Sequence, residues 1–590
     1  MASEYVIGID LGTTNSVLAF ARIDAEPPEV SVLEIPQLVN PGEVREQALL
    51  PSCLYLPGPA DFPGAPLALP WNAEPGLLVG ALAHKRGAEV PGRFVASAKS
   101  WLAHAGVDRT AALLPERAPE GVPKVSPVEA SFRYLEHLRR AWDHRMPGAP
   151  FDGQKVLVTV PASFDATARE LTLEAAERAG YRGVTLLEEP QAAFYAWIER
   201  HRDWRERVAP GDLILVVDIG GGTTDFTLIE VTEKDGELAL ERIAVGDHVL
   251  LGGDNMDLAL ARAVEAELSA KGTRIDALQL QALWHNCRTA KEKLLDPGST
   301  LKQVPVSILG KGTGLVGGTV KASLTSEHIE RIVRDGFFPS AGRGEGPQRQ
   351  RRIALQELGL PYASDAAITR HLAGFLNSSR PGGASPSRVL FNGGVLRAEP
   401  VRERLTTALN GWAAESGGPP VETLGGEDLM HAVARGAVYY GLARDGKGIR
   451  IRGGLPRTYY VGVESSLPAV PGMPAPLKFL TVAPFGMEEG TDVKIPDREF
   501  GLIVGEPAEF RLFSSTVRRN DAAGSMLDEA SPDLVELSPM DVSLDADGGG
   551  VTPVSFETVV TETGMLQLWC VARDGRRWKL EFNVRERVNA

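Results

Sequence analysis

Two apolar runs, each broken by an aspartate and a cluster of glycine and threonine, set the pattern of the chain. Residues 213–229 read LILVVDIGGGTTDFTLI: one run ends at Asp218, the chain passes through Gly220, Gly221 and Gly222 to Thr223, Thr224 and Asp225, and a second run opens at Phe226. The pattern predicts a β-hairpin whose tip holds phosphate, because glycines let backbone N–H groups converge on an anion with no Cβ in the way. Residues 6–20, VIGIDLGTTNSVLAF, repeat the pattern, with Asp10, Gly12, Thr13 and Thr14 ahead of a second run from Val17. The chain therefore reads as internally duplicated. Two facing halves of this kind would grip the phosphates of one nucleotide from both sides.

Between and beyond the hairpins the periodicity supplies further elements. Residues 26–76 are rich in Pro and Gly and predict loops, and 78–104 are helical in composition, with Lys99 inside FVASAKSWL. By itself Lys99 reads as a solvated helix lysine. Phe132, Leu135, Leu138 and Trp142 fall at helical spacing over 128–145. A strand at 156–160 ends at Pro161, and a helix over 167–180 is closed by glycine. In VTLLEEPQAAFYAW, residues 184–197, a strand meets Glu188 and Glu189, and a helix begins with Pro190 in its first turn. A carboxylate at such a strand end is well placed to hold the water shell of a metal. Residues 252–260 follow the central hairpin. A helix over 278–295 carries Arg288, Lys291, Glu292 and Lys293, which by themselves read as a charged face. Further helices are expected over 323–337 and 428–442, and RVLFNGGVL, 388–396, gives a strand, a double glycine and a helix from about Glu399.

After Lys447 strands dominate, at 459–463, 477–482, 500–504, 508–513, 551–560 and 565–584. The last is a hairpin turning at Asp574 and Gly575. Trp578, Leu580, Phe582 and Val584 alternate there with Arg577, Lys579, Glu581 and Asn583, so one face is buried and one is wet.

Composition narrows the classes. The 590 residues are 43% hydrophobic and 24% charged, ordinary for a globular protein with room for several domains. A net charge of −15 argues against a nucleic-acid partner. Cys53, Cys287 and Cys570 are odd in number and far apart, which points to a reducing compartment. MASEYVIG runs straight into the first strand without a leader, and no apolar run reaches membrane-spanning length, so a cytoplasmic protein without a membrane partner is expected. Two motifs are set aside. Gly312, Gly314 and Gly317 spell G-x-G-x-x-G without a following helix, and Gly441, Gly446 and Lys447 approach a phosphate loop but end in Gly448 instead of a hydroxyl. The histidines show no zinc spacing.

Taken in order, IDLGTTNSV, VTVPASFDATAR, LLEEPQAA, VVDIGGGTTDFTL and FNGGVLR resemble the motifs of the heat shock protein 70 family, the DnaK-type chaperones of the actin-like ATPase superfamily. The resemblance extends to about residue 445. It implies an α/β fold: a duplicated actin-like (ribonuclease H-like) ATPase domain over 1–447, a linker over 448–458, and a β-rich, sandwich-like domain over 459–590 without a helical lid. It also implies an ATP/ADP site formed by Gly12, Thr13, Thr14, Gly220, Gly221, Gly222, Gly252, Gly253, Lys291, Gly393, Gly394 and Arg397. Asp10, Glu189 and Asp218 would hold Mg²⁺ mainly through water. Within this frame Lys99 matches the catalytic lysine that positions the attacking water, and Thr223 and Asp225 orient phosphate and water. Pro161 and Arg169 match the pair that links nucleotide state to the substrate domain; alone they read as a strand terminator and a surface arginine.

The departures are specific. In NCRTAKEKLL, Arg288 stands where the family has Glu and Leu295 where it often has Ser, so adenine contacts are not carried over to those positions. Thr185 replaces an arginine, and GKGIRIRGGLPRTYY replaces the acidic, leucine-rich linker, so a J-domain partnership is not carried over either. The resulting expectation is an ATP-hydrolysing, lidless chaperone whose β domain binds unfolded polypeptide. A nucleotide-gated scaffold for one folded partner is the alternative from another class. A small-molecule kinase would need a sugar pocket where this chain adds a β domain.

Overall fold

The structure, a computed structural model, describes residues 3–583 except 105, 117, 235–236, 247–248, 310–318, 349–359, 361, 380–384, 426–427, 447–454, 456, 466–475, 489, 506, 516–517, 529–530, 532, 538–539, 544–549 and 562–564. It separates into two compact units, 1–238 with 242–450, and 239–241 with 451–590.

The two largest sheets of the first unit are each built around one of the repeated motifs. One runs Thr185–Glu188, Lys155–Val160, Tyr5–Leu11, Asn15–Arg22, Ser31–Val32, with Leu50–Pro51 also paired to Asn15–Arg22. The other runs Glu237–Val245, Thr224–Lys234, Leu213–Ile219, Arg388–Asn392, Glu422–Leu424. In both, the first hairpin strand is antiparallel to its partner and parallel to the next strand. Helices cover these strands, so the runs are almost continuously apolar. Asp10 and Asp218 interrupt them at the same place, next to last in Tyr5–Leu11 and Leu213–Ile219.

Local signals set several helix starts. Ser126 accepts the Glu129 N–H ahead of Pro127–Arg145, and Asp165 accepts the Ala168 N–H ahead of Ala166–Arg178. Pro190 lies in the first turn of Glu189–Arg200. Four expectations are corrected. Residues 78–104 are not one helix: Ala81–Glu89 stops ahead of Pro91, a short strand Phe94–Val95 follows, and Ser97 in left-handed backbone (φ 55°) leads into Ala98–Leu102. Residues 323–325 belong to strand Thr319–Thr325, paired with Gln303–Leu309, and Thr325 caps the helical segment that starts at Ser326. The helix expected from 428 begins at Ala432, because the Asp428 carboxylate binds His431 Nδ1 (2.7 Å) and Arg200 (3.0 Å) in the preceding turn. Residues 508–513 are two strands, Pro507–Phe510 and Leu512–Ser515, which pair with different partners. The 310–318 glycines and most of 448–458 lie outside the described residues, as do Lys447 and Gly448.

In the second unit the larger sheets are Met526–Leu527, Leu477–Ala483, Thr458–Glu464, Leu512–Ser515, Val535–Glu536, and Thr491–Val504, Gly550–Val560, Met565–Ala572, Arg577–Asn583. Leu480 and Val482 of the first share one core with Phe556, Leu566, Leu568 and Cys570 of the second. Trp578 and Leu580 point into it while Arg577 and Lys579 are exposed; the side chains at 582 and beyond lie outside the described residues. Gly575 takes the left-handed turn position, φ 89°. Among the described residues of this unit every regular element is a strand. All three cysteines are buried thiols, and no helix among the described residues is long and apolar enough to cross a membrane.

Candidate active site

The two hairpin turns of the first unit meet tip to tip. A Cβ at position 221 would fall on the Thr14 hydroxyl, and one at 222 would lie 2.6 Å from Ser100 Oγ, so glycine is what lets the halves approach. The second turn is closed by Gly220 N–H to Thr223 O, 2.9 Å. Its carbonyls accept from the start of helix Gly253–Ala270, Gly253 N–H to Gly220 O (3.0 Å) and Asp254 N–H to Gly221 O (2.7 Å). That helix thus directs its positive end at the turn.

A cleft of about 370 Å³ opens between the halves. Of the residues expected at a nucleotide site, Asp10, Gly12, Thr13, Thr14, Lys99, Glu189, Asp218, Gly220, Gly221, Thr223, Gly253, Lys291, Gly393, Gly394 and Arg397 line it. Gly222, Asp225 and Gly252 are outside that lining, and so are Pro161 and Arg169. Gly393 sits in left-handed backbone, φ 91°, and a Cβ there would come within 2.6 Å of Asp218 Oδ1.

Charge is concentrated in the cleft floor. Lys99, buried on the short helix Ala98–Leu102, forms an ion pair with Glu189. Asp218 accepts from Asn392 Nδ2 at 2.7 Å, and Asp225 stands directly opposite Asp218 in the antiparallel ladder. Ser163 Oγ donates to Asp225 Oδ1, 2.7 Å. Burial and the Glu189 carboxylate push Asp10 up to about 7 and Asp218 up to about 8. Burial disfavours the Lys99 ammonium, but Glu189 and Asp10 outweigh it and its pKa is raised. Among the described residues no set of three or more His, Cys, Asp or Glu side chains is arranged to ligate a metal directly.

The far end of the cleft is apolar at Leu295, Val333 and Val401, with Arg397 paired to Asp296 (3.2 Å) at its rim. Lys291 binds Asp257 at 2.8 Å. Arg288 is taken up by two carboxylates, Asp257 at 3.0 Å and Asp254. Outside the cleft, Arg169 donates to Ala162 O (3.0 Å) and Glu188 Oε1 (3.2 Å), which joins the turn after Pro161 to the residue preceding Glu189.

Sequence reasoning missed Asn392, Asp254, Asp257 and Ser163. Asn392 opens the NGG motif and the two aspartates follow GG in GGDNMD, so those three carried a signal by adjacency. Ser163 carried none.

A family model described as "Hsp70 protein" matches residues 116–338, a span that holds the Pro161 turn, Glu189 and the whole second glycine-rich turn. Over that span the chain is similar to the Hsp70 family, and the curated relatives it matches carry chaperone names. Among curated relatives, the "Chaperone protein HscA homolog" of Bordetella pertussis is 28% identical over 418 residues, covering 67% of this chain and 58% of the relative. The HscA homolog of Pseudomonas aeruginosa is 31% identical over 305 residues, covering 50% and 42%. The "Chaperone protein DnaK" of Halobacterium salinarum is 29% identical over 365 residues, covering 61% and 48%. The chain thus spans about half the length of the curated relatives it matches. Arg288 and Leu295, which depart from the motif that the family resemblance rests on, both line the cleft.

Proposed function

We propose that this chain is a DnaK-type ATPase chaperone. Residues 1–447 bind and hydrolyse ATP with Mg²⁺, 448–458 link, and 459–590 bind polypeptide under control of the bound nucleotide. The observation that carries the reading is the convergence of two glycine and threonine turns on the buried Lys99–Glu189 pair, flanked by Asp10 and Asp218. The chaperone names of the relatives support it.

In this reading the N–H groups of both turns and the hydroxyls of Thr13, Thr14 and Thr223 hold the phosphates. Magnesium, when bound, would offset phosphate charge. Asp10, Glu189 and Asp218 suit it through a water shell, since they crowd one another without forming a direct ligand set, and a divalent cation favours their ionised forms. Lys99 stays cationic and, anchored by Glu189, holds the water that attacks the γ-phosphorus while the bond to the β–γ bridging oxygen breaks. Asp225 orients that end of the cleft. Positioning and electrostatics account for the rate, with no covalent intermediate. The test is ATP turnover with and without unfolded polypeptide. Stimulation by unfolded chains is expected; stimulation by one folded protein alone would replace the chaperone with a nucleotide-gated scaffold.

A further inference from the structure

Ser163 and Asp225 lie in different halves of the first unit. Ser163 is in the turn that follows strand Lys155–Val160 of one sheet, and Asp225 is in strand Thr224–Lys234 of the other. Ser163 Oγ donates to Asp225 Oδ1 at 2.7 Å, and Asp225 is 6% exposed. A short O–H···O⁻ bond to a buried carboxylate fixes the orientation of that carboxylate.

The turn that presents Ser163 is itself rigid. Phe164 N–H donates to Pro161 O (3.2 Å), and Arg169 donates to Ala162 O (3.0 Å). Asp165 takes Arg109 in a bidentate pair, 2.7 and 2.6 Å, while accepting the Ala168 N–H at 2.7 Å. Arg109, 7% exposed, also donates to His104 O (3.1 Å), just past the helix that carries Lys99. The position of the Ser163 hydroxyl is therefore set by one half and that of the Asp225 carboxylate by the other. Their bond forms only when the halves are correctly placed about the cleft.

We propose that Ser163 is a positioning residue for Asp225, and that through it the Pro161 turn controls the hydrolytic step across the cleft. The proposal rests on the ATPase reading above. It assigns the turn two outputs: Arg169 toward Glu188, and Ser163 toward Asp225.

The experiment uses the full chain and compares single-turnover ATP hydrolysis and ATP affinity for wild type, Ser163→Ala, Ser163→Thr, Asp225→Asn and the Ser163→Ala/Asp225→Asn double variant. Ser163→Ala should slow hydrolysis about tenfold, the scale of one hydrogen bond to a charged group, with ATP affinity unchanged within about twofold. Ser163→Thr keeps the hydroxyl and should return the rate to within about threefold of wild type. The double variant should be no slower than Asp225→Asn alone, because Ser163 has nothing left to position. A wild-type rate in Ser163→Ala, a parallel loss of affinity and rate, or additive losses in the double variant would each overturn the proposal while leaving the ATPase reading intact. Absence of turnover in the wild-type chain would overturn both.

Discussion

Lys99 and Glu189, ninety residues apart in sequence, are joined as an ion pair inside the cleft, with side chains 9% and 14% exposed. A buried pair of this kind contributes little net stability, but it holds a charge at a fixed place. Lys99→Ala should therefore retain nucleotide binding and lose turnover, since the removed charge acts chiefly in the transition state. Single-turnover hydrolysis should fall about a hundredfold or more. A rate within about threefold of wild type would remove Lys99 from the mechanism.

Pro161 and Arg169 are joined through the Ala162 carbonyl, and Arg169 also reaches Glu188, which is fully buried. If they act as one unit, Pro161→Ala and Arg169→Ala should each reduce polypeptide-stimulated turnover, and the double variant should lose less than the sum of their free-energy effects. A complete cycle of the three variants measures this. Strictly additive effects would mean that the two residues act separately.

The hairpins were legible because a strand buried on both faces leaves a continuous apolar run, and Asp10 and Asp218 stand out as the polar residues that interrupt it. Helix Pro127–Arg145 was legible through the periodicity of Phe132, Leu135, Leu138 and Trp142. The segment 78–104 was not, because a five-residue helix such as Ala98–Leu102 is too short to show a period, and Ser97 adopts its left-handed backbone without being glycine. Tertiary pairing decided 323–325, where Leu324 opposes Val304 across a ladder. Ser163 is the plainest case: a serine in a turn acquires its role from a carboxylate 62 residues away that only the fold brings near.

His84 and His285 lie on helices Ala81–Glu89 and Ala277–Leu295 with ring centroids 4.2 Å apart. Burial lowers His84 from 6.5 to about 4; burial, His84 and Arg288 lower His285 to about 3. Both values are depressed in the fold, so the unfolded chain takes up protons first. The stability these groups give is complete above pH 6.5 and is lost as pH falls toward about 4. Denaturant unfolding from pH 7 to pH 4 should show this decline, and His84→Gln with His285→Gln should flatten it. An unchanged slope in the double variant would show that the pair does not govern acid stability in that window.

Every regular element among the described residues of the β unit is a strand, so an extended polypeptide bound there would meet strand edges and side chains of the sheets. Main-chain hydrogen bonds along such an edge supply affinity, and a few pockets supply selectivity. Affinity differences among related complexes lie mostly in the off-rate, so a site of this kind should exchange peptide quickly. Nucleotide control then requires that ATP and ADP favour different states of the β unit, each with its own affinity for peptide. Dissociation of a fluorescent unfolded peptide from the full chain should accordingly be fast with ADP and faster with ATP. Lys99→Ala, trapped with ATP, should keep the faster rate and fail to convert to the slower one. Equal rates with both nucleotides would separate the cleft from the β unit, and binding of one folded protein with no binding of unfolded peptide would turn the same chain into a scaffold.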